Sequence, residues 1–246
     1  MTYLNINLHG KVLRNFFLLL NILLVAGCAK NYPVRLGDTV VQVQQERQGT
    51  GKDFVHLHQN ETTALKAART VIKSEGGSVL TLVHKGQRNI VFHLQNRRYE
   101  FDPNRIFTDA GIKKTLTQFG PYSQAAHVEV RKLSEKIKIL LPKGKVIAVH
   151  NNHESYSMRQ YLPGQPLATE AKALHYLNQN YYRNFYLVTQ RQEFNRLKKL
   201  NFNSILQALN AEDDGSLSVY LSRRDYVNVE AGYDQLAEQI KMLQFA

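Results

Sequence analysis

The chain predicts an α/β fold, with a mixed, largely parallel central sheet flanked by helices. Three observations predict it. Short β-branched or apolar runs recur through residues 51–246, patterns of helical period lie between several of them, and no internal repeat suggests another architecture. Strand, helix and strand in repeated order is the pattern of a sheet with helices packed on its faces.

The first element is a leader. Lys11 and Arg14 give it a positive start, Phe16 to Leu24 is apolar apart from Asn21, and Val25-Ala26-Gly27-Cys28 supplies small residues before a cysteine. The apolar run is short for a membrane span and reads as a secretory signal over residues 1–27. Its ending resembles a bacterial lipoprotein signal. That resemblance implies that Cys28 becomes the lipidated first residue of the mature protein. Ala29 stands where, in some bacteria, an aspartate would retain a lipoprotein at the inner membrane. The expected location is therefore the cell envelope, lipid-anchored in the outer membrane and facing the periplasm. Residues 28–50 are polar and are expected to form a tether with one short strand at Val40 to Val43.

Residues 51–246 are expected to form a single catalytic domain, long enough for one core. Strands are expected at Phe54–Leu57, Val79–Val83, Asn89–Leu94, Val146–Val149, Phe185–Val188, Ser204–Leu206, Ser218–Leu221 and Val227–Val229. Helical patterns cover Thr62 to Lys73, with Thr62 or Thr63 as cap, then Ser123 to Leu140, Gln190 to Leu200 and Asp234 to Leu243. Cys28 is the only cysteine, which excludes an internal disulfide and a thiolate metal site. The formal charge is +12, or +10 once Lys11 and Arg14 leave, and it favours anionic partners. Export argues against nucleic acid as one of them.

Ligands of open α/β sheets bind beyond the carboxyl ends of the strands. His58, Glu61, His150 and Glu230 all fall at such ends. His58 and Glu61 sit three residues apart in His58-Gln59-Asn60-Glu61, a pairing of imidazole nitrogen and carboxylate oxygen that suits zinc. A third ligand is needed, and His150, at the end of Val146–Val149, is preferred to His153 or Glu154 in the loop that follows. His56 is a further rival, since it shares a strand face with His58. Glu230 ends a late apolar strand and is placed to act as general base and acid, or to cap the following helix. In Arg97-Arg98-Tyr99-Glu100-Phe101-Asp102-Pro103-Asn104-Arg105, an arginine in the pocket would bind a carboxylate or hold an oxyanion, with Asp102 and Asn104 orienting Arg105. The alternative for this segment is a turn carrying a surface cation.

Together these segments resemble the zinc carboxypeptidase-like hydrolases, in the succinylglutamate desuccinylase and aspartoacylase branch. That branch carries His-x-x-Glu after an early strand, Asp-Leu-Asn-Arg, a later strand-ending histidine and a glutamate on a late strand. Here these look like His58 and Glu61, Asp102-Pro103-Asn104-Arg105, His150 and Glu230. The resemblance implies a zinc carboxypeptidase-like fold with Zn2+ held by His58, Glu61 and His150. It implies Glu230 as general base, Asn104 and Arg105 on a substrate carboxylate, and Arg97 or Arg98 polarising the carbonyl. Pro103 replaces the leucine of that motif, and Gln59 replaces the glycine common among desuccinylases.

Two other stretches stand out. Glu212-Asp213-Asp214-Gly215-Ser216 reads as a hairpin turn or a cation site, and Tyr156, Tyr161 and Tyr181-Tyr182 lie in a segment broken by Pro163-Gly164 and Pro166. The expectation is a zinc-dependent hydrolase of an amide or peptide bond in the bacterial envelope, a carboxypeptidase or amidase acting on peptidoglycan stem peptides. Its substrate would be a peptide or N-acyl amino acid with a free carboxylate. The alternatives are a deacylase of small N-acyl amino acids and a non-catalytic envelope-binding lipoprotein.

Overall fold

Neighbouring side chains along each central strand face opposite sides, and this period of two divides the core into two layers. The computed structural model describes residues 28–246; the leader expected over residues 1–27, and the acylation expected at Cys28, lie outside what is described. In β3 (Lys52–His56), Phe54 joins one apolar layer and Val55 the other. The same split separates Val79 from Leu80 and Leu82 in β4 (Gly77–Val83), and Ile147 and Val149 from Val146 and Ala148 in β7 (Val146–Asn152). In β11 (Tyr226–Gly232) it separates Val227 and Val229 from Tyr226.

Three helices cover the first layer: α1 (Thr62–Glu75), α4 (Arg191–Lys199) and α6 (Leu236–Phe245). The second layer packs under α2 (Asp109–Phe119), α3 (Gln124–Leu140) and a small antiparallel hairpin of β5 (Ile90–Leu94) and β6 (Arg97–Phe101). Helices therefore flank both faces of the sheet, as the sequence predicts. None among the described residues is long and apolar enough to cross a membrane.

Among the described residues the sheet has nine strands, in the order β1 (Cys28–Leu36), β2 (Thr39–Gln48), β4, β3, β7, β11, β9 (Phe185–Val188), β10 (Ser204–Gln207) and β8 (Ala171–His175). The run β4-β3-β7-β11 is parallel, as are β9 and β10, and the remaining neighbours are antiparallel. The sheet is mixed, with a parallel centre. Its strands β3, β7 and β11 end on one side, and the site lies there.

Three expectations need correction. Residues 28–48 are no tether: β1 and β2 form a hairpin paired onto β4, with Val34, Leu36, Val41 and Val43 in the core. Ser218–Leu221 is not a strand but lies on the short helix α5 (Leu217–Tyr220), whose first turn the Ser216 hydroxyl caps through Val219 N. Neither Thr62 nor Thr63 caps α1. Glu61 occupies the cap position with its carboxylate turned elsewhere, and Thr63 Oγ1 donates to Tyr233 O at 2.7 Å. Helix α2 and strands β6 and β8 were not anticipated.

Candidate metal centre

The tetrapeptide closes on itself because Glu61 N donates to His58 O at 2.9 Å, a turn that puts both side chains on one side of the chain. His150 arrives from the neighbouring strand. Val146, Ala148 and His150 alternate onto the α2–α3 face of β7, so the period of two aims His150 where Ala148 points. The three side chains meet, all buried. His58 Nδ1 lies 2.9 Å from Glu61 Oε1, His150 Nδ1 lies 2.9 Å from Glu61 Oε2, and the two Nδ1 atoms are 3.2 Å apart.

Those separations match the chemistry of one cation. Zinc bonds of about 2.0–2.1 Å arranged tetrahedrally place neighbouring ligand atoms about 3.3 Å apart. Two converging imidazole nitrogens leave room for only one proton between them, whereas both can offer lone pairs to a metal. The residues present therefore fit zinc: two nitrogens and a carboxylate, three ligands.

Asp102 fixes the tautomer of His58. Its Oδ1 lies 2.7 Å from His58 Nε2, so that nitrogen carries the proton and Nδ1 faces the cluster. The sequence expects Asp102 to orient Arg105; instead it orients His58, while also accepting from Asn104 N at 2.7 Å. Burial, the largest influence on His58, would lower its pKa, but Glu61 and then Asp102 outweigh it and raise it to about 9. Burial likewise would raise the two carboxylates. The histidine beside Glu61, with His150, and the same histidine beside Asp102, with Arg105 and Arg88, hold both well below the usual carboxylate range. The centre holds two ionised carboxylates, each matched by neighbouring cations.

The rival histidines are accounted for. His56 uses both ring nitrogens, on Thr81 Oγ1 at 2.9 Å and on Glu61 O at 3.0 Å, and burial chiefly lowers its pKa to about 4. It is a neutral prop behind Glu61. His153 is exposed and stacks on Tyr233, ring centres 4.9 Å apart, and Glu154 is exposed beside it.

Glu230 stands next to His150 in the β11–β7 register and is buried. Each oxygen accepts one amide N–H: Oε1 from Asn228 Nδ2 at 3.0 Å and Oε2 from Asn152 Nδ2 at 3.1 Å. Burial, helped by Glu61 and opposed by His150 and the two amides, raises its pKa. Both asparagines have a periodic signal in the sequence, since each lies two residues from its functional neighbour on the same strand face.

The arginines are the main correction. Arg97 and Arg98 are exposed beside the β5–β6 turn, where Gln95 and Asn96 take left-handed φ of 51° and 60°; Arg98 pairs with Glu100 and Arg97 lies over the Tyr99 ring. Neither lines the cavity. Arg88 does, donating from Nη1 to Glu61 Oε1 at 2.6 Å, with Nη2 3.5 Å from Asp102 Oδ2. Gln59 holds the loop that carries it, its Oε1 accepting from His84 N at 2.6 Å and Gly86 N at 3.0 Å. Arg88 sits in an aperiodic polar loop and carried no sequence signal.

Asn104 and Arg105 both line the cavity, a space of about 710 Å³ that runs from the three ligands across β11 and β9 to the loop 212–216. Asn104 Oδ1 accepts from Leu217 N at 3.0 Å, Arg105 Nη1 donates to Asn104 O at 2.8 Å, and Arg105 Nε lies 3.5 Å from Asp214 Oδ2. The acidic stretch is not a hairpin turn: it is a loop between β10 and α5. Glu212 pairs with Lys114 at 2.6 Å and Asp213 accepts from Thr108 Oγ1 at 2.8 Å, which binds this loop to the start of α2. Gly215 and Gly111 cross in van der Waals contact there, and a side chain on Gly111 would collide with the Gly215 backbone. Tyr156 and Tyr161 share a 2.8 Å hydroxyl contact on the cavity wall, while Tyr181 and Tyr182 lie nearer the surface.

No protein-family model matches the chain, and no curated protein matches it. Among solved structures it is similar to the crystal structure of an aspartoacylase family protein from Mesorhizobium loti, at a TM-score of 0.43 and 12% sequence identity. The similarity covers 88% of this chain and 66% of that one, so the chain spans just under two thirds of its length.

Proposed function

We propose that the protein is a zinc-dependent hydrolase of an amide or peptide bond. The convergence of His58, Glu61 and His150, ligand atoms 2.9–3.2 Å apart, carries the proposal. A zinc ion held by these three side chains supplies Lewis acidity toward a carbonyl oxygen and makes a water molecule more acidic.

The other residues divide the remaining work. Glu230, its pKa raised by burial, accepts the proton of the attacking water and returns it to the leaving amine as the C–N bond breaks. Asn152 and Asn228 hold its two oxygens in place for both transfers. Arg88 takes the part expected of Arg97 or Arg98, offering a guanidinium to the oxygen that gains negative charge. Arg105, with the Asn104 amide beside it, faces the cavity as the cation for a substrate carboxylate.

The substrate class is a peptide or N-acyl amino acid with a free carboxylate. A lipid on Cys28 would hold the enzyme in the outer membrane facing the periplasm, where stem peptides of peptidoglycan offer such ends; the leader pattern supports this placement. The cavity of about 710 Å³ suits a ligand of small-molecule size, which favours a short peptide end or a small N-acyl amino acid over a long polymer. Competition between stem peptides and N-acyl amino acids in one assay separates the two. The central test is Glu230→Gln: the purified variant should keep its zinc and lose about 10²–10⁴-fold in hydrolysis. Undiminished turnover would remove Glu230 from the mechanism, and a chain that binds no zinc and ignores chelators would favour the non-catalytic binding lipoprotein.

A further inference from the structure

Glu61 begins α1, yet its side chain caps nothing, because both carboxylate oxygens face the metal centre. The first turn of a helix leaves backbone N–H groups that need partners. One is satisfied from another strand: Ala64 N donates to Asn151 Oδ1 at 2.8 Å. A backbone N–H can only donate, so the Asn151 oxygen must face Ala64 and its Nδ2 must face the other way. There Nδ2 donates to Gln239 Oε1 at 2.9 Å and to Ala231 O at 3.3 Å. Gln239 then has one orientation open to it, and its Nε2 donates to His150 O at 2.9 Å. The backbone N of Asn151 completes the circuit by donating to Glu61 Oε2 at 3.1 Å.

Gln239 lies on the last helix and is fully buried. Its amide is joined to two zinc ligands at once: directly to the main chain of His150, and through Asn151 to the carboxylate of Glu61. The Asn151 amide that Gln239 accepts from also donates to the main chain of Ala231, the residue after Glu230. A buried polar network of this kind is stiff, and losing one member leaves its partners unpaired.

We propose that Gln239 is a positioning residue of the zinc centre, so that α6 sets metal affinity from behind the sheet without contacting metal or substrate. The proposal rests on the zinc-site reading above. It is tested on the full chain by titrating zinc against a chelating dye, with cobalt as spectroscopic probe, in Gln239→Leu and Gln239→Glu. Leucine removes both bonds. Glutamate keeps the acceptor for Asn151 but loses the donor to His150 O, and it matches glutamine in volume should the leucine variant not fold.

Both variants should bind zinc about 10–100-fold more weakly than the natural chain, the range for groups that orient metal ligands. The visible spectrum of bound cobalt should change with them. Gln244→Leu, on the exposed side of α6 where Gln244 bonds Glu75, should alter neither readout. Variants whose metal-free melting temperature falls while zinc affinity and cobalt spectrum hold would show a purely structural role and overturn the proposal. A natural chain that binds no zinc would overturn the zinc centre itself, which is a separate result.

Discussion

Arg88 reaches Glu61 and Asp102 from a loop, whereas Arg97 and Arg98 turn outward at a hairpin tip. The difference predicts opposite outcomes from similar substitutions. Arg88→Met should cut kcat/KM by about 10²–10³-fold, the usual cost of losing an oxyanion donor. Arg97→Ala and Arg98→Ala should leave kcat/KM within about twofold and stability within about 0.5 kcal/mol, as surface changes do. Kinetics of the three variants on one substrate decides it, and a large loss in Arg98→Ala would return the role to β6. Asp102→Asn makes a second residue-scale case. It removes the carboxylate that holds the proton on His58 Nε2 at 2.7 Å, and should weaken zinc binding about 10–100-fold in the same dye titration. The candidate site was legible because strand ends and a period of two place His58, His150 and Glu230 together. Arg88 was not, because nothing in an aperiodic loop says which of many cations turns inward.

At the scale of elements, the β1–β2 hairpin shows where periodicity falls short. In β2, residues Thr39, Val41 and Val43 alternate inward, but only the short run Val40 to Val43 stands out from polar neighbours. β1 is harder still, since Lys30, Asn31 and Pro33 resemble linker chemistry. Pro33 is tolerated because β1 is the edge strand, where a missing N–H breaks no inner ladder. Leu36 ends that strand fully buried. Leu36→Ala should therefore destabilise the fold by about 2–5 kcal/mol, as a core truncation does, when a tether residue would cost nothing. Urea unfolding gives the value, and a change below about 0.5 kcal/mol would contradict the hairpin's place in the core. Helix α5 was misread for a related reason. A run as short as Leu217–Leu221 fits either period, and it is the Ser216 cap that selects the helix.

Across the whole molecule, the parallel centre brings two carboxylates to one side of the sheet, and the fold must keep both with little water. Glu61 is compensated by two histidines and an arginine; Glu230 has two neutral amides and a raised pKa. The consequence for stability has a definite sign. An unfolded glutamate titrates near about 4.3. Because the folded value is higher, the folded chain holds a proton that the unfolded chain has released in the interval between the two. Glu230 therefore contributes fully to stability below the unfolded pKa, and that contribution is lost as pH rises through the folded one. Glu230→Gln lacks this titration. In metal-free protein, the stability of the natural chain minus that of the variant should fall from pH 4.5 to pH 8, because the groups common to both largely cancel. Urea melts of the two proteins across that range measure the difference. A flat difference would mean that Glu230 titrates as an ordinary carboxylate, and the case for it as a base with a raised pKa would go. Adding zinc at about 100 times its dissociation constant should raise the stability of both proteins by about 2.7 kcal/mol, since Glu230 is not a ligand. A stabilisation confined to the natural chain would instead make Glu230 a fourth ligand and leave the attacking water without a base.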